Sequence, residues 1–264
     1  MIVVKLGGAA GIDADAVLAD LAGLGEPWLL VHGGNAELDA VSRRLGLEPR
    51  FVTSPQGLSS RVTDLETIGA IQMVYRGRLN SELVRRLQAL GVNAVGLSGL
   101  DGRLWLAERK AAIRYVENGK KFLLRDDYTG RIVSVNAALL KLLLDNGYAP
   151  VMTLPALTPE GEAVNVDGDR AAAAVAAATG ARALVVLSNV PGLLRDPGDP
   201  ASIIRRIGRG ELEAADGHAR GRMKIKLLAA SEALAAGVER VILATANTKS
   251  PVRDALAGEG TVIA

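Results

Sequence analysis

The chain contains no cysteine and only two histidines, His32 and His218, among its 264 residues. Disulfides, thiolate metal sites and histidine-rich zinc centres are thereby excluded, so any metal must be held by oxygen. Aromatic residues make up 3% of the sequence, too few to furnish the stacking platforms of a nucleic-acid binder. No apolar run reaches the length of a membrane span. MIVVKLGG leads straight into a glycine pair with no charged leader or cleavage site, so a cytoplasmic protein without membrane association is expected. The two commonest nucleotide fingerprints, G-x-x-x-x-G-K-S/T and G-x-G-x-x-G, are also missing, so a nucleotide would have to be held in another way. Net charge is small at +2, yet it is unevenly spread. Residues 103–131 carry eight Arg/Lys against four Asp/Glu, whereas residues 1–42 carry one Lys against six acids. A solvated face explains such a bias, and so does a docking surface for something acidic.

What is present is an apolar content of 49%, enough to fill the core of one α/β domain or of two lobes sharing a sheet. Short β-branched runs alternate with helical periodicity, the pattern of parallel strands joined by crossover helices. Strands are predicted at Ile2 to Leu6, 28–31, 93–98, 148–154, 183–188 and 240–245, with a long helix from about Asp64 to Leu90 and another over 222–237. Between 101 and 135 the pattern changes to charged two-residue alternation with turns at Asp101-Gly102, Asn118-Gly119 and Thr129-Gly130, which predicts a hairpin insert. A soft boundary near residue 166 divides two lobes.

Ligands of open parallel sheets bind beyond the C-terminal strand ends, which directs attention to the strand-to-helix loops. Two of them, LGG at 6–8 and HGGN at 32–35, place paired glycines where unobstructed backbone N–H groups suit phosphate; a tight connection alone also accounts for either pair. Lys5, flanked by Val4 and Leu6 at a strand end, is costly to bury without an anion; an edge lysine reaching water is the alternative. Lys224 and Lys226 lie near a helix start, where cations oppose the helix dipole. NVDGDRAAAAVAAATG, from 165, raises the opposite problem of too many acids. Asp169 reads most simply as the N-cap of the alanine helix, yet one cap is enough. Asn165, Asp167 and Asp169 at alternate positions suit a functional cluster.

KLGG, VHGGN, RVTD, NGYAPV, NVDGDRAA, LSNVPGLL and GRMKIKLLAA resemble, in order and spacing, the amino acid kinase superfamily, most closely its acetylglutamate kinase branch. The resemblance runs from about residue 2 to Gly260-Thr261. It implies an α/β three-layer sandwich with a central, mostly parallel sheet and a β-hairpin insert. The single domain 1–264 would divide into an acceptor-binding and dimerisation lobe, 1–166, and an ATP-binding lobe, 167–264. It further implies transfer of the γ-phosphoryl of ATP to a side-chain carboxylate without a covalent enzyme intermediate. Lys5 and Lys226 would stabilise the phosphoryl group in flight, with Asp169 holding both. Gly7 and Gly8 would serve the nucleotide phosphates, and Gly33, Gly34 and Asn35 would bind the acceptor. Arg61 and Asn165 would bind the acceptor's α-carboxylate and amide side. Ser188, Asn189, Gly192, Leu193 and Leu194 would carry the nucleoside, with Mg2+ bridging phosphates and few protein ligands.

The sequence departs from that branch at Gly33-Gly34-Asn35, at Gly221-Arg222-Met223 and in the approach SPQGLSSRVTD. These departures look like the relatives that phosphorylate 2-aminoadipate, or glutamate, attached through its amino group to a small acidic carrier protein. The basic insert, with Arg43, Arg44, Arg50 and Arg61, suits such a partner. N-acetylglutamate kinase is the alternative acceptor reading, and a basic regulatory protein without catalysis the alternative class. A homodimer without arginine feedback is expected because the chain starts at its first strand.

Overall fold

The computed structural model describes residues 1–264. Eight strands form one central sheet in the order Arg206–Ile207, Thr261–Ile263, Arg240–Thr245, Ala183–Ser188, Ile2–Leu6, Trp28–His32, Ala149–Thr153, Ala94–Ser98. All pair in parallel except Thr261–Ile263, which runs antiparallel to Arg240–Thr245. The strands at Ile2–Leu6, Ala183–Ser188 and Arg240–Thr245 have the predicted bounds, because an uninterrupted apolar run buried on both faces admits little else.

Side chains alternate across the first strand, and the alternation decides where its lysine goes. Ile2, Val4 and Leu6 enter one core with Val17, Leu18 and Leu21 of the helix Ala14–Ala22. Val3 enters the other, with Ala171, Ala172 and Val175 of the helix Gly168–Ala178. Lys5 shares the face of Val3 and therefore points toward the alanine helix. That helix packs on the helix Arg222–Ala235, whose contact face carries Ala229, Ala230 and Ala233. Small residues on both sides allow close approach, and a two-pronged ion pair of Arg170 with Glu232, at 2.9 and 2.6 Å, fixes the register.

The long helical path is continuous but not uniform. It runs as α-helix over Leu65–Ile71, as π-helix over Gln72–Asn80 and as α-helix again over Ser81–Ala89. Wide helical turns of this kind gather at functional sites, and this one carries Tyr75 and Asn80. Ile68, Ile71, Val74, Leu83 and Leu87 face the chain's own core, while Leu65 and Met73 remain exposed. No helix is long and apolar enough to cross a membrane.

The insert is split between two small sheets. Trp105–Arg109 pairs with Gly130–Val135, in a sheet with Ala156–Leu157 and Ala163–Val164. The hairpin Ile113–Glu117 and Lys120–Leu124 joins Phe51–Thr53 and Ser59–Arg61. Asn118 and Gly119, at φ 50° and 74°, form the expected turn of that hairpin. Thr129-Gly130 does not turn. Thr129 bridges Asn165, the Gly130 amide donates to the Asn165 carbonyl at 2.8 Å, and Gly130 opens a strand. The reversal lies earlier, where Asp126 has φ 57° and the buried Asp127 carboxylate accepts from the amides of Thr63 and Thr129, both at 2.7 Å.

Candidate active site

Asp169 is not the cap of the alanine helix. Asp167 takes that place, accepting from the amides of Asp169 and Arg170 at 2.9 and 3.0 Å. This leaves the Asp169 carboxylate, in the first turn, free to bridge two ammonium groups. Its Oδ1 lies 2.8 Å from Lys5 Nζ and its Oδ2 3.0 Å from Lys226 Nζ. All three side chains are buried. Burial alone would raise the Asp169 pKa, but the adjacent Lys5 and Lys226 charges overcome it and hold the carboxyl well below the usual carboxylate range. Burial, then the Lys5 charge, pulls the Lys226 ammonium below its ordinary value. Burial, then the Asp169 charge, pushes Asp167 up. Two cations sharing one anion leave a net positive charge at a water-poor point, an arrangement suited to a group that gains negative charge there.

Lys226 reaches this point because residues four apart on a helix share a face, so Arg222 lies beside it, whereas Lys224 is turned away. Lys224 Nζ approaches Gly57 instead. The two glycine loops meet at the strand ends. A Cβ on Gly8 would lie 2.0 Å from the Gly34 amide nitrogen, and the Ala36 amide donates to the Gly8 carbonyl at 2.9 Å. The amides of Gly7 and Gly33 are spent on the carbonyls of Leu187 and Leu6, both at 2.9 Å. Gly7 and Gly33 therefore have no amide to offer a ligand, contrary to the sequence expectation, although each lines a cavity, and Gly8 keeps its own.

Two cavities open from the lysine centre. The larger, of 660 Å³, is lined by Gly7, Gly8, Ser188, Asn189, Gly192, Leu193 and Leu194 together with Lys5, Asp169 and Lys226. The smaller, of 160 Å³, is lined by Gly33, Arg61 and Asn165. Lys5, Asn35, Ser59, Asp169 and Arg222 border both. Gly34 lines neither and is required for close packing, since a Cβ there would meet Leu79 at 2.2 Å. Leu193 is a core residue that shows one edge to the cavity, its amide donating to Thr261 Oγ1 at 2.8 Å.

Sequence reasoning missed Asp39, Phe51, Thr63, Tyr75 and Arg222 here. Arg61 pairs with Asp39 and lies 4.7 Å over the Phe51 ring, so its charge is already answered. Tyr75, buried, bonds the Asn35 side chain at 2.9 Å, and burial pushes its hydroxyl up to about 12. Asn165 donates to Thr63 Oγ1 at 3.1 Å. Arg222 could have been found from its i, i+4 relation to Lys226; the partners of Arg61 and Asn165 lie across separate segments and leave no local signal.

His32 sits under the second glycine loop, its Nε2 3.1 Å from Asn80 Nδ2. Burial lowers its pKa from 6.5 to about 4; the Gly33 carbonyl opposes the shift and Lys5 adds to it. A group whose pKa is depressed by folding binds its proton more readily in the unfolded chain. His32 therefore favours the native state fully above pH 6.5 and loses that contribution as the pH falls toward 4, by roughly 3 kcal/mol in total. Urea unfolding from pH 7 to 4 should show a shallower acid decline for His32→Gln than for the wild type; parallel declines would refute this assignment.

Residues 1–245 match the amino acid kinase family. The chain belongs to that family. Over 266 residues it is 55% identical to LysW-aminoadipate kinase of Deinococcus radiodurans, covering 100% of this chain and 91% of that protein. The corresponding enzyme of Thermus thermophilus is 53% identical over 268 residues, with both chains covered completely. Among solved structures, N-acetylglutamate synthase of Neisseria gonorrhoeae with coenzyme A and N-acetylglutamate superposes with a TM-score of 0.80 at 25% identity, covering 100% of this chain and 59% of that one. As an amino acid kinase family member with these kinases as relatives, the chain is an ATP-dependent phosphotransferase.

Proposed function

We propose that this kinase transfers the γ-phosphoryl of ATP to the side-chain carboxylate of 2-aminoadipate held through its amino group on a small acidic carrier, with glutamate on the same carrier as a second acceptor. The Lys5–Asp169–Lys226 centre between two cavities carries the phosphoryl-transfer reading. The full-length relatives supply the acceptor. The larger cavity falls in the size range of cofactor sites and takes ATP. There the Gly8 amide meets the phosphates, and the Ser188 to Leu194 wall holds the nucleoside. The acceptor enters the smaller cavity, with its α-carboxylate and amide side toward Arg61 and Asn165. Its reacting carboxylate is already an anion, so the attacking oxygen needs no general base. That oxygen bonds to phosphorus as the bond to the β-phosphate oxygen breaks, while Lys5 and Lys226 neutralise the group in passage.

No three carboxylate or histidine groups cluster so as to hold a metal ion. Asp167 is engaged with a helix start and Asp169 with two lysines. Mg2+ therefore fits as an ion carried by the nucleotide phosphates, where it supplies charge neutralisation. The two lobes, 1–166 and 167–264, divide acceptor and nucleotide between them. A second copy of the chain packs on the long helix at exposed Leu65 and Met73.

The carrier docks on the insert. Arg114, Lys120, Lys121 and Arg125 are exposed and have no carboxylate within 4.0 Å, and Lys110 lines the acceptor cavity. ADP release measured with carrier-linked aminoadipate, carrier-linked glutamate and free N-acetylglutamate tests the proposal. Turnover with the linked acceptors, weakening steeply between 50 and 300 mM salt as surface charge is screened, is the expected result. Turnover of free N-acetylglutamate alone would replace this reading with the acetylglutamate kinase one.

A further inference from the structure

Four cations around the phosphoryl centre have their charge answered by a carboxylate, whereas Arg222, Arg220 and Lys110 do not, and of these three only Arg222 lines both cavities. Lys5 and Lys226 share Asp169, Arg61 holds Asp39, and Arg170 holds Glu232. Arg222 has no carboxylate within 4.0 Å, although it lines both cavities. It is also the first residue of the helix Arg222–Ala235, where a cation opposes the helix dipole. Gly221 before it has φ 52° and ψ −123°, a conformation closed to residues with a Cβ, so this helix start is aimed by a glycine.

The guanidinium is nonetheless ordered. With the Asn35 amide turned to satisfy both its neighbours, the amide oxygen accepts from Arg222 Nη1 and Nη2 at 2.7 and 3.1 Å, and the amide nitrogen donates to Tyr75 Oη at 2.9 Å. Tyr75 is buried within the π-helical stretch, so the relay is anchored in the core. An exposed arginine held by neutral partners is thus positioned without being neutralised. It stands where the two cavities join, one helical turn from Lys226.

We propose that Arg222 is a further catalytic residue, whose guanidinium contacts the phosphoryl group as it passes from the nucleotide cavity to the acceptor carboxylate. The inference deepens the kinase reading and rests on it. It assigns the departure at Gly221-Arg222-Met223 to charge stabilisation during transfer. Arg222 and Lys226 then contact the group from one helix face, with Lys5 opposite. Planar guanidinium suits two phosphoryl oxygens at once, a geometry that lysine cannot reproduce.

The test uses binding of ADP, Mg2+ and aluminium fluoride in the presence of carrier-linked 2-aminoadipate or, separately, of free N-acetylglutamate, followed by calorimetry. In the wild type, fluoride addition should tighten nucleotide binding. Arg222→Gly should forfeit about 100-fold of that gain while ADP affinity in its absence stays within about 3-fold. Arg222→Lys should recover only part of it. In turnover, Arg222→Gly should lose kcat rather than raise either KM, and added guanidinium chloride at millimolar levels, but not sodium chloride, should restore activity. Retention of the full fluoride gain by Arg222→Gly, or a wild type that shows no such gain, overturns the assignment. Failure of the carrier reading would appear separately, in the choice of acceptor, and leave the fluoride difference intact.

Discussion

Asp169→Asn is expected to lower turnover by about 1000-fold, equivalent to roughly 4 kcal/mol of transition-state stabilisation. The substitution preserves shape and removes charge. Lys5 and Lys226, held together by that carboxylate at 2.8 and 3.0 Å, would then repel each other in a buried site. One ammonium would move away or lose its proton, and the group in transit would lose half its neutralisation. Removing one partner of a buried ion pair also destabilises the fold, by about 3 to 5 kcal/mol. Single-turnover kinetics on protein shown to be folded by circular dichroism separates the two effects. Turnover within about 3-fold of wild type would remove the catalytic reading of the whole centre.

The second large effect arises from a residue without a side chain. Gly8→Ala should lower kcat by about 100-fold, since misplacement of a reacting group by about 1 Å costs that much. The new Cβ would lie 2.0 Å from the Gly34 nitrogen, 2.5 Å from its Cα and 2.6 Å from the Gly33 carbonyl carbon. Backbone, not a flexible side chain, stands in the way, so the two strand-end loops must separate. Gly69→Ala is the control. Gly69 lies in the helix Leu65–Ile71, and an added Cβ meets nothing within 4 Å, so activity should persist and stability should hold or rise. Equal losses from both substitutions would show that Gly8 has no special place in the site.

Much of this site was legible because its members sit in short collinear motifs whose local physics is unusual. A lysine inside the apolar run of Ile2–Leu6, acids crowded before an alanine helix and lysines at the start of another each violate a local preference, and Lys5, Asp169 and Lys226 do converge. Roles decided by tertiary pairing were not legible. Asp167 and Asp169 are interchangeable as caps on paper; only packing of the helix against the first strand and the lysine helix shows which one is free. Thr129-Gly130 has the composition of a turn, but a strand contact with Asn165 takes precedence over that local preference. Arg61 looked like an unopposed cation until the fold brought Asp39 beside it, 22 residues away in sequence.

The helix of alanines works as a spacer of minimum thickness. Ala171, Ala172 and Ala176 are wholly buried and Ala173 nearly so, against neighbours that include the small side chains of the facing helix. Any wider residue there would lever Asp169 away from one lysine or the other while touching neither substrate. Tolerance to mutation in this protein should therefore be lowest along a stretch with no chemistry of its own, because the gap between two charges is set by the girth of the methyl groups beside it.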